Sequence, residues 1–180
     1  LTYIKKTTPP SAECAASAPA LLLLLHGTGA DEHNLLPLID LVVPPNVVVA
    51  SLRAPLNTPF GGYRWFSGYS SAPDPAALRS EIGASCDELF TFIQEAPSTL
   101  GTDPDRVYLL GFSQGGSVAH LLSLLSLRAP ETIRMPPPRF GIFISARCTR
   151  HTAHAELLAG AVREPLPLPS LVIYGVADTE

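Results

Sequence analysis

The chain lacks the features that mark a membrane-spanning, secreted or nucleic-acid-binding protein. Its apolar run at residues 20–25 is far too short to cross a bilayer, and no basic segment followed by an apolar core opens the chain, as a signal peptide requires. Only 16% of the 180 residues are charged, the net charge is −4, and no basic cluster occurs. We therefore expect no transmembrane segment and no nucleic-acid partner.

Cysteine is also scarce. The three cysteines are widely spaced, and none belongs to a Cys-x-x-Cys motif. This pattern favours free thiols in a reducing compartment, which predicts a cytoplasmic protein. A length of 180 residues predicts one domain, residues 1–180, with a substantial core. The chain begins with Leu1 rather than Met, so we expect further sequence upstream.

Apolar runs alternate along the chain with stretches of helical periodicity. Near-continuous apolar runs are typical of strands that are covered on both faces. The predicted strands are an edge strand at residues 1–5 and further strands at residues 21–25, 46–51, 106–110, 140–145 and 171–174. The predicted helices lie at residues 32–41, 75–97 and 114–127. This alternation predicts an α/β fold with a mostly parallel sheet and helices on both faces.

The second predicted helix has sequence signals at both ends. Asp74 followed by Pro75 is typical of an N-cap with proline at the first helical position. Apolar residues then recur at helical spacing and predict one buried face, formed by Leu78, Ile82, Cys86, Leu89 and Ile93. Pro97 follows this pattern and is expected to end the helix.

The most informative motif is Gly-Phe-Ser-Gln-Gly at residues 111–115, between a predicted strand and a predicted helix. Strand, Gly-x-Ser-x-Gly and helix in this order are typical of a nucleophile elbow. The glycines permit a sharp turn, which exposes Oγ of the serine at the C-terminal edge of a sheet. We therefore predict that Ser113 is a nucleophile, which also requires a base and hydrogen-bond donors for an oxyanion.

A second glycine-rich turn, His-Gly-Thr-Gly at residues 26–29, follows the first buried strand. In hydrolases with a nucleophile elbow, one oxyanion donor is the backbone N–H of the residue after the nucleophile, here Gln114. The other donor comes from the early strand-to-helix loop, and Thr28 is the candidate for it. An ordinary turn explains these glycines equally well when the loop is taken alone. His26 is expected to pack and hydrogen-bond rather than to act as a base.

The acid of a catalytic triad is predicted at Asp178. In this fold the triad runs in the order Ser, Asp or Glu, His. Asp178 is the only aspartate after Ser113, and it follows the last predicted strand. A carboxylate in that position can orient an imidazole and stabilise its charged form. A turn or helix-cap aspartate is the alternative.

The base of the triad has no candidate in the expected place, because no histidine follows Asp178. None of the five histidines is expected to be the base: His26, His33, His120, His151 and His154. His120 lies on the same predicted helix as Ser113, about 10 Å farther along the helix axis. The histidines at residues 151 and 154 and the cluster at residues 31–33 lack the further ligands of a zinc site, so no metal is expected.

Five segments of the chain resemble the phospholipase/carboxylesterase family of α/β-hydrolases, which includes the acyl-protein thioesterases. In the family's order they are LHGTGADE (25–32), RAP (53–55), GYRWF (62–66), DPDRVYLLGFSQGG (103–116) and VIYGVAD (172–178). The resemblance implies an α/β-hydrolase fold. It also implies that Ser113 is the nucleophile, that Asp178 is the triad acid, and that Thr28 and Gln114 donate their backbone N–H groups to the oxyanion.

The resemblance also concerns the pocket and the end of the chain. Tyr63, Trp65 and Phe66 match a segment that in the family lies near the active-site mouth, which implies a role in substrate binding; packing as a small core under a long loop is the alternative. Members of the family continue to a loop with the catalytic histidine and a final helix. We therefore expect a C-terminally incomplete α/β-hydrolase domain that is a poor enzyme by itself, with loss of catalysis in the whole protein as the alternative.

Together these features predict a serine hydrolase that cleaves carboxylic esters or thioesters through an acyl-enzyme on Ser113. No metal or organic cofactor is expected. The expected substrate is a small-molecule or acyl-chain ester, including an acylated protein. An inactive α/β-hydrolase-like domain that binds a ligand is the alternative from another class. A dienelactone-type hydrolase is disfavoured because the elbow carries serine rather than cysteine.

Overall fold

The computed structural model describes residues 1–13, 16–67, 74–128, 137–146 and 169–173. These ranges contain eight strands and three α-helices. In chain order they are β1 (Tyr3–Thr8), β2 (Ala20–Leu25), α1 (Ile39–Val42), β3 (Val47–Leu52), β4 (Leu56–Asn57), β5 (Tyr63–Arg64), α2 (Pro75–Leu100), β6 (Val107–Phe112), α3 (Gln114–Arg128), β7 (Phe140–Ile144) and β8 (Ser170–Ile173). A 3-10 turn, Leu36–Leu38, leads into α1.

Six of these strands form one sheet in the order β1-β3-β2-β6-β7-β8. β1 is antiparallel to β3, and the other neighbouring pairs in the sheet are parallel. Apolar residues along the whole length of a strand are expected where both faces of a sheet are covered, and all six residues of β3 are buried. The predicted mostly parallel α/β sheet is confirmed.

Helices cover both faces of this sheet. On one face α2 and α3 pack over the larger core, to which the strands contribute Leu23, Leu109 and Phe143. On the other face Leu35 and Ile39, from the turn region and α1, pack against Leu24 of β2. No helix in the described ranges is long and apolar enough to span a bilayer.

The helix predicted at residues 32–41 is wrong in its extent, because α1 begins only at Ile39. Two side chains near its predicted start are engaged elsewhere. The carboxylate of Asp31 accepts a hydrogen bond from the N–H of His33 (2.9 Å), and that of Glu32 pairs with Arg53. Pro37 lies in the 3-10 turn that precedes α1, and proline has no backbone N–H to donate to a helical hydrogen bond.

α2 begins where it was predicted but ends later. The side chain of Asp74 accepts a hydrogen bond from the N–H of Ala76 (3.1 Å), and Pro75 is the first helical residue. The predicted apolar face is buried throughout. The helix continues through Pro97 to Leu100, and the next residue, Gly101, has a left-handed φ of 71°. The left-handed glycine therefore terminates the helix, and the predicted stop at the proline is wrong.

The two outer strands of the sheet differ in character. β1 carries Lys5 and Lys6 on exposed positions. β8 exposes Leu171, Val172 and Ile173, each with 42–48% of its surface accessible. Within the described part of the chain no strand pairs with the outer edge of β8. One edge is therefore charged and the other is apolar.

Candidate active site

Ser113 lies on the sharp turn between β6 and α3. Its φ of 51° is in the left-handed region, which is uncommon for a residue that carries a Cβ. Backbone hydrogen bonds hold the turn: the N–H of Ser113 donates to the C=O of Ile144 (2.8 Å), and the N–H of Ser117 donates to the C=O of Ser113 (3.0 Å). The serine is half-buried, and no described residue is hydrogen-bonded to its Oγ. The turn has the backbone geometry of a nucleophile elbow.

Glycines flank Ser113 because backbone segments meet there. A Cβ on Gly115 would lie 2.2 Å from the carbonyl oxygen of Leu25, and a Cβ on Gly111 would lie 2.5 Å from that of Gly115. Leu25 and Gly111 are opposite each other in the parallel pair β2–β6. The start of α3 therefore passes directly over the end of β2, and neither glycine position has room for a side chain.

Residues 26–30, here called the glycine loop, follow β2 and lie against the elbow. A Cβ on Gly27 would lie 3.3 Å from the Cβ of Ser113. Thr28 is exposed, and no described residue accepts a hydrogen bond from its N–H. The same holds for the backbone N–H of Gln114 among the described residues. Within the described ranges the two predicted oxyanion donors thus have no acceptor, one in a loop that contacts the elbow and one within the elbow.

His26 has no ring nitrogen left for catalysis. Its Nε2 accepts a hydrogen bond from the N–H of Ala54 (3.1 Å), so Nδ1 carries the proton and donates to the C=O of Gly27 (2.7 Å). Burial lowers the pKa of His26, although the nearby carboxylates of Asp31 and Glu32 oppose the shift. The imidazole is a neutral structural group that joins the glycine loop to the chain after β3.

Residues 63–66, here called the bridging segment, run from the glycine loop to the elbow. The C=O of Tyr63 accepts a hydrogen bond from Gly29, and the N–H of Tyr63 donates to the C=O of Ala30, both at 2.8 Å. A Cβ on Gly62 would lie 2.1 Å from the carbonyl oxygen of Gly29, which shows how closely the two chains approach. The backbone of Tyr63 therefore fixes the glycine loop, a role that sequence reasoning missed.

The other end of the bridging segment is held by Gln114, whose side chain is fully buried. Its Oε1 accepts a hydrogen bond from the backbone N–H of Trp65, and its Nε2 donates to the C=O of Phe66, both at 2.8 Å. The indole Nε1–H of Trp65 donates to the C=O of His26 (2.9 Å). The structure places Trp65 and Phe66 in the core, fully buried, and leaves Tyr63 partly exposed. Their role in substrate binding stays a prediction.

A charged pair supports the glycine loop on its other side. The guanidinium of Arg53 donates from Nε to Oε2 of Glu32 (2.6 Å) and from Nη2 to Oε1, and it lies 4.6 Å from the centre of the Tyr63 ring. These hydrogen bonds lower the pKa of the buried Glu32 carboxyl to about 2. Among the described residues, the cluster at residues 31–33 is the one group with metal-ligand spacing. Its central carboxylate, that of Glu32, is already hydrogen-bonded to Arg53.

Two other titratable groups of the core lie outside the elbow. The ring of His120 packs against that of Phe143, with centroids 5.1 Å apart, and burial lowers its pKa. The thiol of Cys86 is buried on α2, and burial raises its pKa to about 12. Such a thiol is protonated at neutral pH and is not a nucleophile.

Asp178 lies outside the described residues, as do the histidines at 151 and 154. β8 ends at Ile173, which is opposite Ile144 of β7, and Ile144 is opposite Phe112 of β6. The strand before Asp178 therefore ends at the same sheet edge as Ser113. The assignment of Asp178 as the triad acid stays a prediction.

The fold and the elbow together define the class of α/β-hydrolases with a serine at the strand-to-helix turn. The family model described as serine hydrolase (FSH1) matches residues 61–180, which include both the elbow and the bridging segment. The chain belongs to this serine hydrolase family. The resemblance to esterases of the α/β-hydrolase fold that was drawn from the sequence is confirmed.

Comparisons with individual proteins agree with this class. The human (Homo sapiens) esterase OVCA2 is 32% identical over 119 residues, which are 63% of this chain and 47% of the esterase. Among solved structures, esterase PE8 has a TM-score of 0.70 at 24% identity, over 97% of this chain and 75% of its own. Acyl-protein thioesterase 2 of Zea mays has a TM-score of 0.55 at 18% identity, over 94% and 74%.

These comparisons differ in what they show. At identities below 25% the likeness to the two solved structures shows the fold. The chain spans only 28% to 48% of the length of three curated relatives that it matches.

Proposed function

We propose that this chain supplies the nucleophile and the oxyanion donors of an esterase that cleaves carboxylic esters or thioesters. The observation that carries the proposal is Ser113, held at a φ of 51° between a parallel strand and a helix. The N–H groups of Thr28 and Gln114, which have no acceptor in the part of the chain that the structure describes, support it, because the loop and the helix start that carry them adjoin this serine.

In this proposal the reaction begins when Oγ of Ser113 attacks the carbonyl carbon of the substrate. The carbonyl oxygen becomes an oxyanion and is bound by the N–H groups of Thr28 and Gln114. α3 begins at Gln114, so the positive end of its dipole also favours negative charge there. Collapse of the tetrahedral intermediate expels the alcohol or thiol and leaves an acyl ester on Ser113, which water then hydrolyses. None of these steps requires a metal or an organic cofactor.

The proton transfers require a histidine. It would take the proton from Oγ, give it to the leaving group, and be oriented by Asp178, the proposed acid. His26 is unsuitable because both of its ring nitrogens are hydrogen-bonded within the protein. We propose that the base follows Asp178 in the full protein, in the chain order that this fold uses.

For the substrate we propose an ester or thioester with a small or single-chain acyl group, including an acylated protein. Of the three aromatic residues that the sequence suggested for the pocket, Tyr63 is the one with partly exposed surface. It is therefore the residue we propose to contact substrate directly. A cytoplasmic location is proposed from the scarcity of cysteine.

The proposal is tested by labelling the full protein with a fluorophosphonate, which phosphonylates an activated serine. We expect labelling to be lost in Ser113→Ala and retained in Ser123→Ala, a control serine of α3 whose hydroxyl donates to the C=O of Ala119. Hydrolysis of p-nitrophenyl acetate and of a thioester analogue should follow the same pattern. Equal labelling of the wild type and Ser113→Ala would contradict the proposal. Folded but unlabelled wild type would instead favour the ligand-binding alternative.

A further inference from the structure

The side chain of Gln114 forms two hydrogen bonds with the backbone of the bridging segment, as a neighbouring strand would. One amide accepts from the N–H of Trp65 and donates to the C=O of Phe66. Backbone N–H groups only donate and carbonyl oxygens only accept, so these two contacts fix which end of the amide faces which residue. Because the side chain is fully buried, no water competes for either contact.

From this amide a continuous set of contacts leads to the glycine loop. Trp65 is further held by its C=O, which accepts from Oγ of Ser85 (2.5 Å), and its indole N–H donates to the C=O of His26 (2.9 Å). At the other end of the segment, Tyr63 bonds Gly29 and Ala30 through its backbone. Thr28 lies between these two attachment points of the loop.

We propose that Gln114 is a positioning residue, whose side chain holds the N–H of Thr28 in register with Ser113 by bonding the backbone of Trp65 and Phe66 at one end of the bridging segment. The inference rests on the proposed function, since the register matters only if the two N–H groups bind an oxyanion. Gln114 would then have two separate roles. Its backbone N–H is one donor, and its side chain sets the place of the other.

The energetic reason is that the amide meets two buried backbone groups at once. Without it, the buried N–H of Trp65 loses its acceptor, at about 1–3 kcal/mol, and the C=O of Phe66 loses the donor that Gln114 provides. The bridging segment must then shift to find other partners, and the glycine loop shifts with it. Oxyanion contacts require donors at about 2.7–3.1 Å, and a displacement of about 1 Å can reduce turnover about 100-fold.

The test uses two variants of the full protein that keep the volume of the side chain. In Gln114→Glu, the carboxylate accepts from Trp65 but repels the C=O of Phe66, whereas the protonated acid makes both contacts of the native amide. In Gln114→Met neither contact forms at any pH. We expect kcat to fall about 100-fold in Gln114→Met at every pH, and in Gln114→Glu at pH values where its carboxyl is ionised, with KM changed less than about threefold. The ratio of Gln114→Glu to wild-type kcat should rise as the pH falls, and that of Gln114→Met should not.

The control is Leu122→Ala, a buried position of α3 about 12 Å farther along the helix axis. It should lower stability by about 2–5 kcal/mol and leave kcat per folded molecule unchanged, with folding monitored by circular dichroism. Retention of wild-type kcat in Gln114→Met overturns the inference, and so does a ratio for Gln114→Glu that is independent of pH.

A second measurement separates this inference from the proposed function. Hydrogen exchange at the amide of Gly29 is compared in the wild type, Gln114→Met and Leu122→Ala under conditions where all three are folded. We expect faster exchange in Gln114→Met alone, and equal exchange in the two variants overturns the inference. If the wild type lacks turnover that depends on Ser113, the proposed function fails, and the exchange rates still decide whether Gln114 positions the loop.

Discussion

At the scale of single residues, the elbow requires glycine because the neighbouring backbone leaves no space for a side chain. Gly115 packs its α-carbon against the carbonyl oxygens of Leu25 and His26, where a Cβ would come within 2.2 and 2.5 Å. These obstacles are backbone atoms of a central strand and the loop after it, so they cannot rotate away as a side chain can. The requirement for glycine is therefore steric.

We expect Gly115→Ala to destabilise the fold by more than about 3 kcal/mol or to prevent folding, since overpacking against backbone exceeds the usual cost of about 1–3 kcal/mol. Gly83→Ala is the matched control. Nothing lies within 4 Å of a Cβ at this position of α2, and alanine should stabilise the helix by about 0.5–1 kcal/mol. Urea denaturation measures both, and two changes of the same sign would refute the steric argument.

The residues proposed to bear the chemistry are recognisable in the sequence, and the contacts that hold them in place are not. Ser113, Thr28 and Gln114 belong to glycine-rich motifs that directly follow strands, so their meeting at one sheet edge follows from the parallel order. The contact of the Gln114 side chain joins it to backbone groups about 50 positions earlier. Every residue type except proline offers the N–H at position 65, and every type offers the C=O at position 66, so such a contact cannot be recognised from the sequence.

At the scale of elements, the strands were predictable and the helix ends less so. A strand covered on both faces reads as an unbroken apolar run, so β2, β3 and β6 begin and end within two residues of their predicted limits. The predicted start of the first helix is lost because Glu32 is bound to Arg53, which directly follows β3 and is distant in sequence. α2 passes Pro97 because the helix has only a few residues left at that point, and a left-handed glycine is available beyond them.

We expect Pro97→Ala to stabilise the protein by about 1–2 kcal/mol. Alanine restores an N–H that can donate to the carbonyl of Ile93, and it removes a clash that costs about 3 kcal/mol in a helix interior; the greater freedom of the unfolded chain offsets up to about 1 kcal/mol of this gain. Thermal unfolding followed by circular dichroism measures the change.

The same substitution at the start of α2 is the control. Pro75 occupies the first helical position, where an N–H has no partner within the helix and proline is already suited to the backbone. Pro75→Ala should therefore leave stability unchanged or reduce it by less than about 1 kcal/mol. A Pro97→Ala variant no more stable than Pro75→Ala would show that α2 accommodates its internal proline without cost.

At the scale of the whole molecule, the two sheet edges predict how the chain associates. Lysines on an edge strand oppose pairing with another chain, whereas an exposed apolar edge invites it. β1 carries Lys5 and Lys6, and β8 exposes three consecutive apolar residues. Association of the 180-residue polypeptide should therefore proceed through β8.

We expect sedimentation velocity of the 180-residue polypeptide to show association that increases with concentration. Val172→Lys should suppress it, because a charge would have to be buried in the new contact. Val172→Thr keeps the branched shape without a charge, and it should suppress association less. A polypeptide that is monomeric at all concentrations would refute the prediction that β8 mediates association. Equal suppression of association by Val172→Thr and Val172→Lys would refute it as well.

The bridging segment also has a consequence for the order of events in folding. The bonds that fix the glycine loop join residues 28 to 49 positions apart. Closing loops of this length is slow compared with forming a helix. No local stretch can assemble the site early, and the loop cannot be locked until the ribosome has released the chain beyond Gln114. We therefore expect the arrangement of the loop and the elbow to form together with the non-local contacts of the sheet and not before them, so labelling at Ser113 during refolding would report when these contacts are made.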